Sequence, residues 1–433
     1  MNKQEVNVTG SQPVDVVIVG GGLVGGSLAA CLARDPSLHI VVVEKISPQR
    51  LSDEALQHPS YDARNTALAN GTCHLFDQLG LWQTLRQQAE AIERIVVCDR
   101  GGFGRSVINA SDENVRALGY IVENRWVGEV LTRHLESLPN VTVMAPAEVT
   151  ACCYQEQSVD VEVTRETVKT QLQTPLLVIA DGAQSNTRQL LGIATHTEDY
   201  GQTAVVTTLT PDCSHNNQAW ERFTETGPLA LLPQTDNRYG VTWCLESAQA
   251  KELLAVSDAD FLEAIQKAAG QQMGHFIHVG QRFGYPLKLT LSDEQVRPRC
   301  VVLGNSAHAL HPVAGQGLNL SIRDVAALTQ LIYKAREQGQ DYGELGWLNH
   351  YFEKRKHDQA ATVQFSDKVV KLFSNNKRGY SLARNAGLIA FDLMPGAKRF
   401  LAHYAMGRAT STRLPEPPQQ NHQSNEPLKE KTP

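Results

Sequence analysis

The hydrophobic and polar positions divide the chain into stretches of different period. Val14-Asp15-Val16-Val17-Ile18-Val19 is a short β-branched run, Leu23 to Ala33 repeats its apolar positions at helical spacing, and Ile40-Val41-Val42-Val43-Glu44 is a second apolar run. That order predicts strand, helix, strand, the βαβ unit of a parallel sheet. From Val141 to Ala180 the pattern shortens into a β-meander. Val159, Val161 and Val163 alternate with polar neighbours, and Leu176-Leu177-Val178-Ile179-Ala180 reads as a strand buried on both faces. Further strands are predicted near 203–210, 219–224, 228–232, 239–245 and 282–289, with a helix over 258–269. They make a second, largely antiparallel domain. Cys300-Val301-Val302-Leu303 returns the chain to the first sheet, and 317–407 is mostly helical.

These elements predict an α/β protein with a Rossmann-like domain in two parts, 14–200 and 299–409, the second carrying the C-terminal helices. A mainly antiparallel substrate domain, 201–298, is inserted between them. Residues 1–13 and 410–433 are polar and proline-bearing and are predicted to be disordered tails.

Composition removes several classes of function. The 433 residues are 42% hydrophobic, enough for ordinary cores, and the formal net charge of -6 leaves no basic stripe for nucleic acid. Eight cysteines at 31, 73, 98, 152, 153, 213, 244 and 300 form no C-x-x-C pair, which suits a reducing compartment. No run approaches the roughly 20 apolar residues of a membrane span, and Val14 to Val19 is too short for a signal peptide. A cytoplasmic protein is expected. The histidines and cysteines form no metal-ligand spacing, and no catalytic triad is assigned.

The chemistry gathers at two glycine-rich segments. Gly20-x-Gly22-x-x-Gly25 follows a predicted strand and opens a predicted helix, where glycines admit a tight turn and close approach to a pyrophosphate. The helix N-terminus offers N–H donors and a favourable dipole. Glu44 ends the next strand, where an acidic side chain takes ribose hydroxyls and repels a 2′-phosphate, so the dinucleotide is FAD or NAD rather than NADP. Far downstream, Gly304 to Asn319 is a strand end, a polar turn and a second glycine-rich helix start, with Gly315 and Gly317 allowing a ligand near the backbone.

Three segments in order give the chain a resemblance to the class A flavoprotein monooxygenases: Gly20 to Gly25, then Asp181-Gly182-Ala183-Gln184-Ser185-Asn186-Thr187-Arg188, then Gly304-Asn305 through Asn319. Within that group the chain resembles the ubiquinone-biosynthesis hydroxylases. Asp62 to Leu68, Gly71-Thr72-Cys73, Glu221-Arg222-Phe223-Thr224, Gly227 to Pro233, Tyr285-Pro286-Leu287 and His311 to Gly317 carry this finer likeness, which spans about 14–407. The resemblance implies bound FAD, NAD(P)H as transient reductant, and O2 that passes through a flavin hydroperoxide to a polyprenylated phenol such as 2-octaprenyl-6-methoxyphenol. It implies cofactor contacts from Gly20, Gly22, Gly25, Glu44, Arg64, Asp181, Gly182, Gly304, Asn305, Pro312, Gly315, Gln316, Gly317, Leu318 and Asn319. Asn305 stands where many members of the broad group have aspartate, which leaves hydrogen bonding to the ribityl chain without a charge.

Other readings stay open. A sister hydroxylase acting at another ring position shares most of these segments, and a flavin-bearing subunit of a biosynthetic assembly that no longer turns over shares all three fingerprints. His308 and His311 read as turn-stabilising residues rather than as a proton relay. Trp220, Phe223, Leu229, Leu231, Leu232, Trp243 and Tyr285 supply apolar surface to the second domain, most of it core. Tyr380 to Arg408 mixes apolar residues with Arg384, Lys398, Arg399 and Arg408, which suits either peripheral contact with a membrane or with other ubiquinone-biosynthesis proteins, or packing on the domain.

Overall fold

The computed structural model describes residues 11–47, 64–99, 104–312, 315–373, 406 and 412–418. The strands Cys300–Val302, Leu177–Ile179, Val16–Val19, Ile40–Val43 and Val141–Met144 lie side by side in parallel, and Val296–Arg297 adds an antiparallel edge. Alternation along these strands feeds two cores. Val16, Ile18, Ile40, Val42, Val178 and Val301 face the helices Leu23–Leu32, Asn124–Ser137 and Gln316–Glu337, while Val17, Val19, Val41, Val43, Leu177 and Val302 face the meander. Burial on both faces explains the unbroken apolar runs in the sequence.

The meander is the antiparallel ladder Glu148–Tyr154, Val159–Arg165 and Val168–Thr174. Gln12 and Pro13, expected in a free tail, extend it by pairing in parallel with Leu172 and Gln173. The C-terminal tail expectation also changes, because residues 412–418 follow the surface near the helix Asn70–Gln78. Leu414 is buried in the main core, Leu414 N donates to Gln78 Oε1 at 2.8 Å, and Arg34 Nη1 donates to Pro415 O at 2.9 Å. One apolar anchor and a few backbone hydrogen bonds outweigh the polar average of the segment.

The second sheet has nine strands. Thr195–Pro211 pairs with Arg238–Glu246 and with Phe283–Ser292, and Pro228–Gln234 and Gln218–Phe223 continue the sheet. Phe276–Val279 and His308–Ala309 also pair into it, and Arg94–Asp99 and Arg105–Asn109 make up the nine, although the sequence division placed them in the first domain. The parallel pairing of Gln218–Phe223 with Arg94–Asp99 joins segments far apart in the chain, which no local period reveals. The helices Ser247–Ala255 and Asp258–Ala269 cover one face of this sheet, where Trp220, Leu229, Leu231 and Trp243 are core residues. Its other face turns toward the first domain: Gln234 Nε2 donates to Asn65 Oδ1, and Ala219 and Leu232 pack with Ile121 and Ala67. No described helix is long and apolar enough to cross a membrane.

Candidate functional site

Neighbouring parallel strands end on the same edge of the first sheet and deliver the predicted residues side by side. Glu44 follows Ile40–Val43, Gly20 follows Val16–Val19, Asp181 lies just beyond Leu177–Ile179, and Gly304 lies just beyond Cys300–Val302. Ligands in open α/β sheets sit at this carboxyl edge. The edge carries a cleft of about 630 Å³ lined by Gly20, Gly22, Glu44, Arg64, Asp181, Gly182, Asn305, Gly317 and Leu318, among others.

Steric crowding fixes the glycine turn. Gly20 has φ +101°, and a Cβ there would lie 2.4 Å from Ala180 O; a Cβ on Gly25 would lie 1.9 Å from Gly20 O. Glu44 holds the turn to the neighbouring strand, its Oε2 accepting from Gly21 N at 2.7 Å and its Oε1 from Ile46 N at 2.9 Å. A carboxylate offers about four lone-pair positions, so these bonds leave acceptor capacity for ribose hydroxyls.

Ser306 joins the second and third segments. Its hydroxyl accepts from Gly182 N at 2.9 Å and lies 3.2 Å from Asp181 Oδ1, while Arg188 Nη1 donates to Ser306 O at 2.5 Å and Arg188 Nη2 donates to Ala183 O at 2.9 Å. Burial holds the Arg188 guanidinium below its ordinary pKa, partly offset by the charge of Asp181. Neither residue was singled out from sequence as a clamp, because a serine and an arginine at these positions have no spacing signature. Asn305 is exposed on the cleft wall.

The helices Leu23–Leu32 and Gln316–Glu337 pack together, and residues at both N-termini line the cleft. Neither has an acidic residue in its first turn or a capping side chain, and the positive ends of their dipoles point to the cleft. Gly315 caps the second helix in the left-handed region at φ +58°, and Gly315 N donates to Pro312 O at 3.1 Å across a turn whose residues 313 and 314 lie outside the described set. A Cβ on Gly317 would meet no described atom beyond its chain neighbours and its own helix backbone within 4 Å. Crowding therefore explains glycine at 20 and 25 but not at 317. These features fit FAD: a carboxylate for ribose, two helix starts for phosphate, and an open glycine for a ring system.

Some expected contacts are redirected. Asn319 commits its whole side chain to the fold, its Oδ1 accepting from Ala69 N at 2.9 Å and Thr72 Oγ1 at 2.8 Å, and its Nδ2 donating to Ala67 O at 2.7 Å and Gly315 O at 2.9 Å. These bonds hold the helix start against Ala67, Ala69 and Thr72. Gln316 is buried beneath that helix start, and Pro312 is exposed. Arg64 lines the cleft with its guanidinium 4.9 Å from the centre of the Tyr285 ring, which links the cleft to the second sheet. His308 pairs with Asp324 Oδ2 at 2.8 Å rather than with turn backbone, and burial pushes His311 down to about 4, so it is neutral at pH 7. No group of His, Cys, Asp and Glu side chains suited to a metal occurs among the described residues. The basic stretch from Tyr380 to Arg408 lies outside them apart from Met406.

Residues 13–366 match the FAD binding domain family. The chain is 37% identical over 414 residues to the ubiquinone hydroxylase UbiL of Rhodospirillum rubrum, covering 95% of this chain and 94% of that protein. It is 29% identical to the 3-demethoxyubiquinol 3-hydroxylase of Escherichia coli, covering 92% and 99%. In fold it is similar to the p-nitrophenol 4-monooxygenase of Pseudomonas putida, with a TM-score of 0.75 at 18% identity over 92% of this chain and 100% of that one.

Proposed function

We infer the substrate of this chain from its kinship: it belongs to the FAD binding domain family, and within it to the flavoprotein monooxygenases of the ubiquinone-hydroxylase group. It is an FAD-dependent enzyme. The proposed reaction is hydroxylation of a polyprenylated phenol, 2-octaprenyl-6-methoxyphenol or a close relative, with NAD(P)H and O2. One observation supports this reading above the rest. The cleft that gathers all three motif segments meets, at Arg64 and Tyr285, the inner face of a sheet large enough to cover an apolar ring and chain.

FAD, when bound, supplies the redox chemistry that takes reducing equivalents from NAD(P)H and transfers one oxygen atom of O2 to the ring. In this reading the leading N–H groups of both helices bind the pyrophosphate, Glu44 accepts from ribose, and Asn305 accepts from the ribityl chain. Gly317 leaves room for the ring system. Arg64, held on the Tyr285 ring, sits between cofactor and substrate regions, where a guanidinium suits a phosphate or a carboxamide.

The test is anaerobic reduction of the purified flavoprotein by NADPH followed by O2, with and without 2-octaprenyl-6-methoxyphenol. Faster flavin reduction and a product heavier by one oxygen support the assignment, and the position of the new hydroxyl identifies the ring carbon. A phenol that neither accelerates reduction nor gains oxygen sinks the substrate assignment. Because a polyprenyl phenol resides in the bilayer, we also propose peripheral membrane contact. In vesicle flotation the full chain should rise with lipid and a chain ending at residue 379 should rise less; equal partitioning dismisses a role for the basic C-terminal stretch.

A further inference from the structure

The inner face of the nine-stranded sheet carries a carboxyl group that the proposed chemistry has not used. Strand register places Val97, Glu221, Ala230, Thr242 and Val206 in one row across five strands. The row on one side is Ala219, Leu232 and Gly240, where Asn65 of the first domain lies so close that a Cβ on Gly240 would be 2.6 Å from its Nδ2. The row on the other side is Asp99, Phe223, Pro228, Cys244, Ala204 and Tyr285, ending under Arg64. Glu221 therefore lies on the face turned toward the first domain, between the row that docks against Asn65 and the row that reaches the cleft residue Arg64.

Its surroundings are unusual for a carboxylate. Ala230 and Thr242 beside it are small, so the side chain is not packed flat by large neighbours. It makes no hydrogen bond or ion pair with a described residue. Protein surrounds it deeply enough that burial pushes its pKa up to about 7, yet the residue is only half-buried by exposed area. The carboxyl is thus deep in the protein and keeps some exposed area on the face turned toward the first domain. The neighbouring titratable groups on this face are Cys244, whose thiol burial keeps protonated, and Asp99 at the end of the adjoining strand. Neither neutralises a carboxylate at Glu221, so nothing described there explains a structural need for the acid.

We propose that Glu221 is the catalytic base that faces the phenolic hydroxyl of the substrate. The phenol O–H bond breaks, its proton passes to a Glu221 carboxylate oxygen, and the bonding electron pair stays on the phenol oxygen, enriching the ring that is to receive oxygen. Charge is conserved as it moves from carboxylate to phenolate, and the proton returns when product re-forms its hydroxyl. Burial favours the role, because a carboxyl near 7 is a stronger base than an exposed glutamate and lies closer to the ordinary phenol value of about 10. The inference rests on the phenol-hydroxylase reading above.

The experiment uses the FAD-loaded full chain, NADPH, O2 and 2-geranyl-6-methoxyphenol as probe, and compares wild type with E221Q and E221A. E221Q should keep its flavin content and unfolding temperature, lose about 10²- to 10⁴-fold in kcat/KM for hydroxylation, and lose the inflection near pH 7. Formate added to E221A should restore part of the hydroxylation without changing flavin content. A hydroxylation rate for E221Q within about threefold of wild type, with the inflection retained, overturns the proposal, since general-base contributions are far larger. Loss of flavin from both variants assigns the carboxyl a structural role and overturns it as well. If wild type itself forms no hydroxylated product, the phenol-hydroxylase reading falls and takes Glu221 with it; failure of the variants alone to differ leaves that reading intact.

Discussion

At the scale of single residues, the glycines at the two helix starts separate into those that crowding requires and one, Gly317, that it does not. Alanine at Gly25 drives a methyl group into Gly20 O, so the turn must move; a destabilisation of about 1–3 kcal/mol is expected, with loss of flavin from the purified protein. Alanine at Gly317 meets open space in the first turn of a helix. The flavin-free G317A protein should be as stable as wild type or up to about 1 kcal/mol more stable, since alanine is the better helix former. Its FAD affinity should nevertheless fall. Urea unfolding of the flavin-free proteins and fluorescence titration with FAD separate the two cases. Equal FAD affinity in G317A and wild type would remove the cofactor from this helix start.

Among elements, the helices Gln316–Glu337 and Leu345–Phe373 are joined by a buried ionic network that fixes the cleft-facing end of the first helix. Asp324 Oδ1 accepts from Arg355 Nε at 2.6 Å, Asp358 Oδ2 accepts from Arg323 Nε at 2.7 Å, and Arg355 also bonds Asp358. Two arginines and two aspartates balance, with His308 on the outer oxygen of Asp324. Burial alone pushes both carboxyls up, but the pull of His308 and Arg355 on Asp324, and of Arg323 and Arg355 on Asp358, leaves both below their ordinary pKa. A carboxyl depressed in the folded state stabilises the fold above its unfolded value of about 3.9, and the contribution is lost as pH falls through the lower folded value. Unfolding free energy should therefore drop steeply below about pH 4. Asp358→Asn should lower stability at pH 7 by about 3–5 kcal/mol, because it leaves buried guanidinium charge uncompensated, and should flatten the acid slope. Denaturant titrations from pH 7 to pH 3 check both; an unchanged slope in the variant would place the acid sensitivity elsewhere.

For the molecule as a whole, legibility followed the range of the interaction. The βαβ unit, the meander and the antiparallel strands from 203 to 245 were readable because each depends on a period within a few residues. The glycine turn at 20–25 was readable because crowding demands glycine at particular positions. What the sequence did not reveal is non-local: Arg94–Asp99 beside Gln218–Phe223, Leu414 returning to the main core, Ser306 clamping Asp181-Gly182, and Asn319 turned inward. Each joins partners whose sequence separation hides the contact, and a polar residue reads the same whether it faces ligand or backbone. That non-local design bears on stability. The cleft draws residues from 19 to 321 and includes both helix starts, so a ligand that touches them binds only when both parts of the first domain are assembled. FAD should therefore stabilise the native state globally, by about 2.7 kcal/mol at a free concentration one hundred times its Kd. The unfolding temperature of the flavin-free protein should keep rising with added FAD beyond saturation, because binding to the folded state grows logarithmically with ligand. A temperature that stops rising at stoichiometry, or one that rises for the nucleotide sheet while the nine-stranded sheet melts unchanged, would mean that the two sheets do not unfold as one unit and that the contacts at Asn65, Gln234 and Arg64 are too weak to couple them.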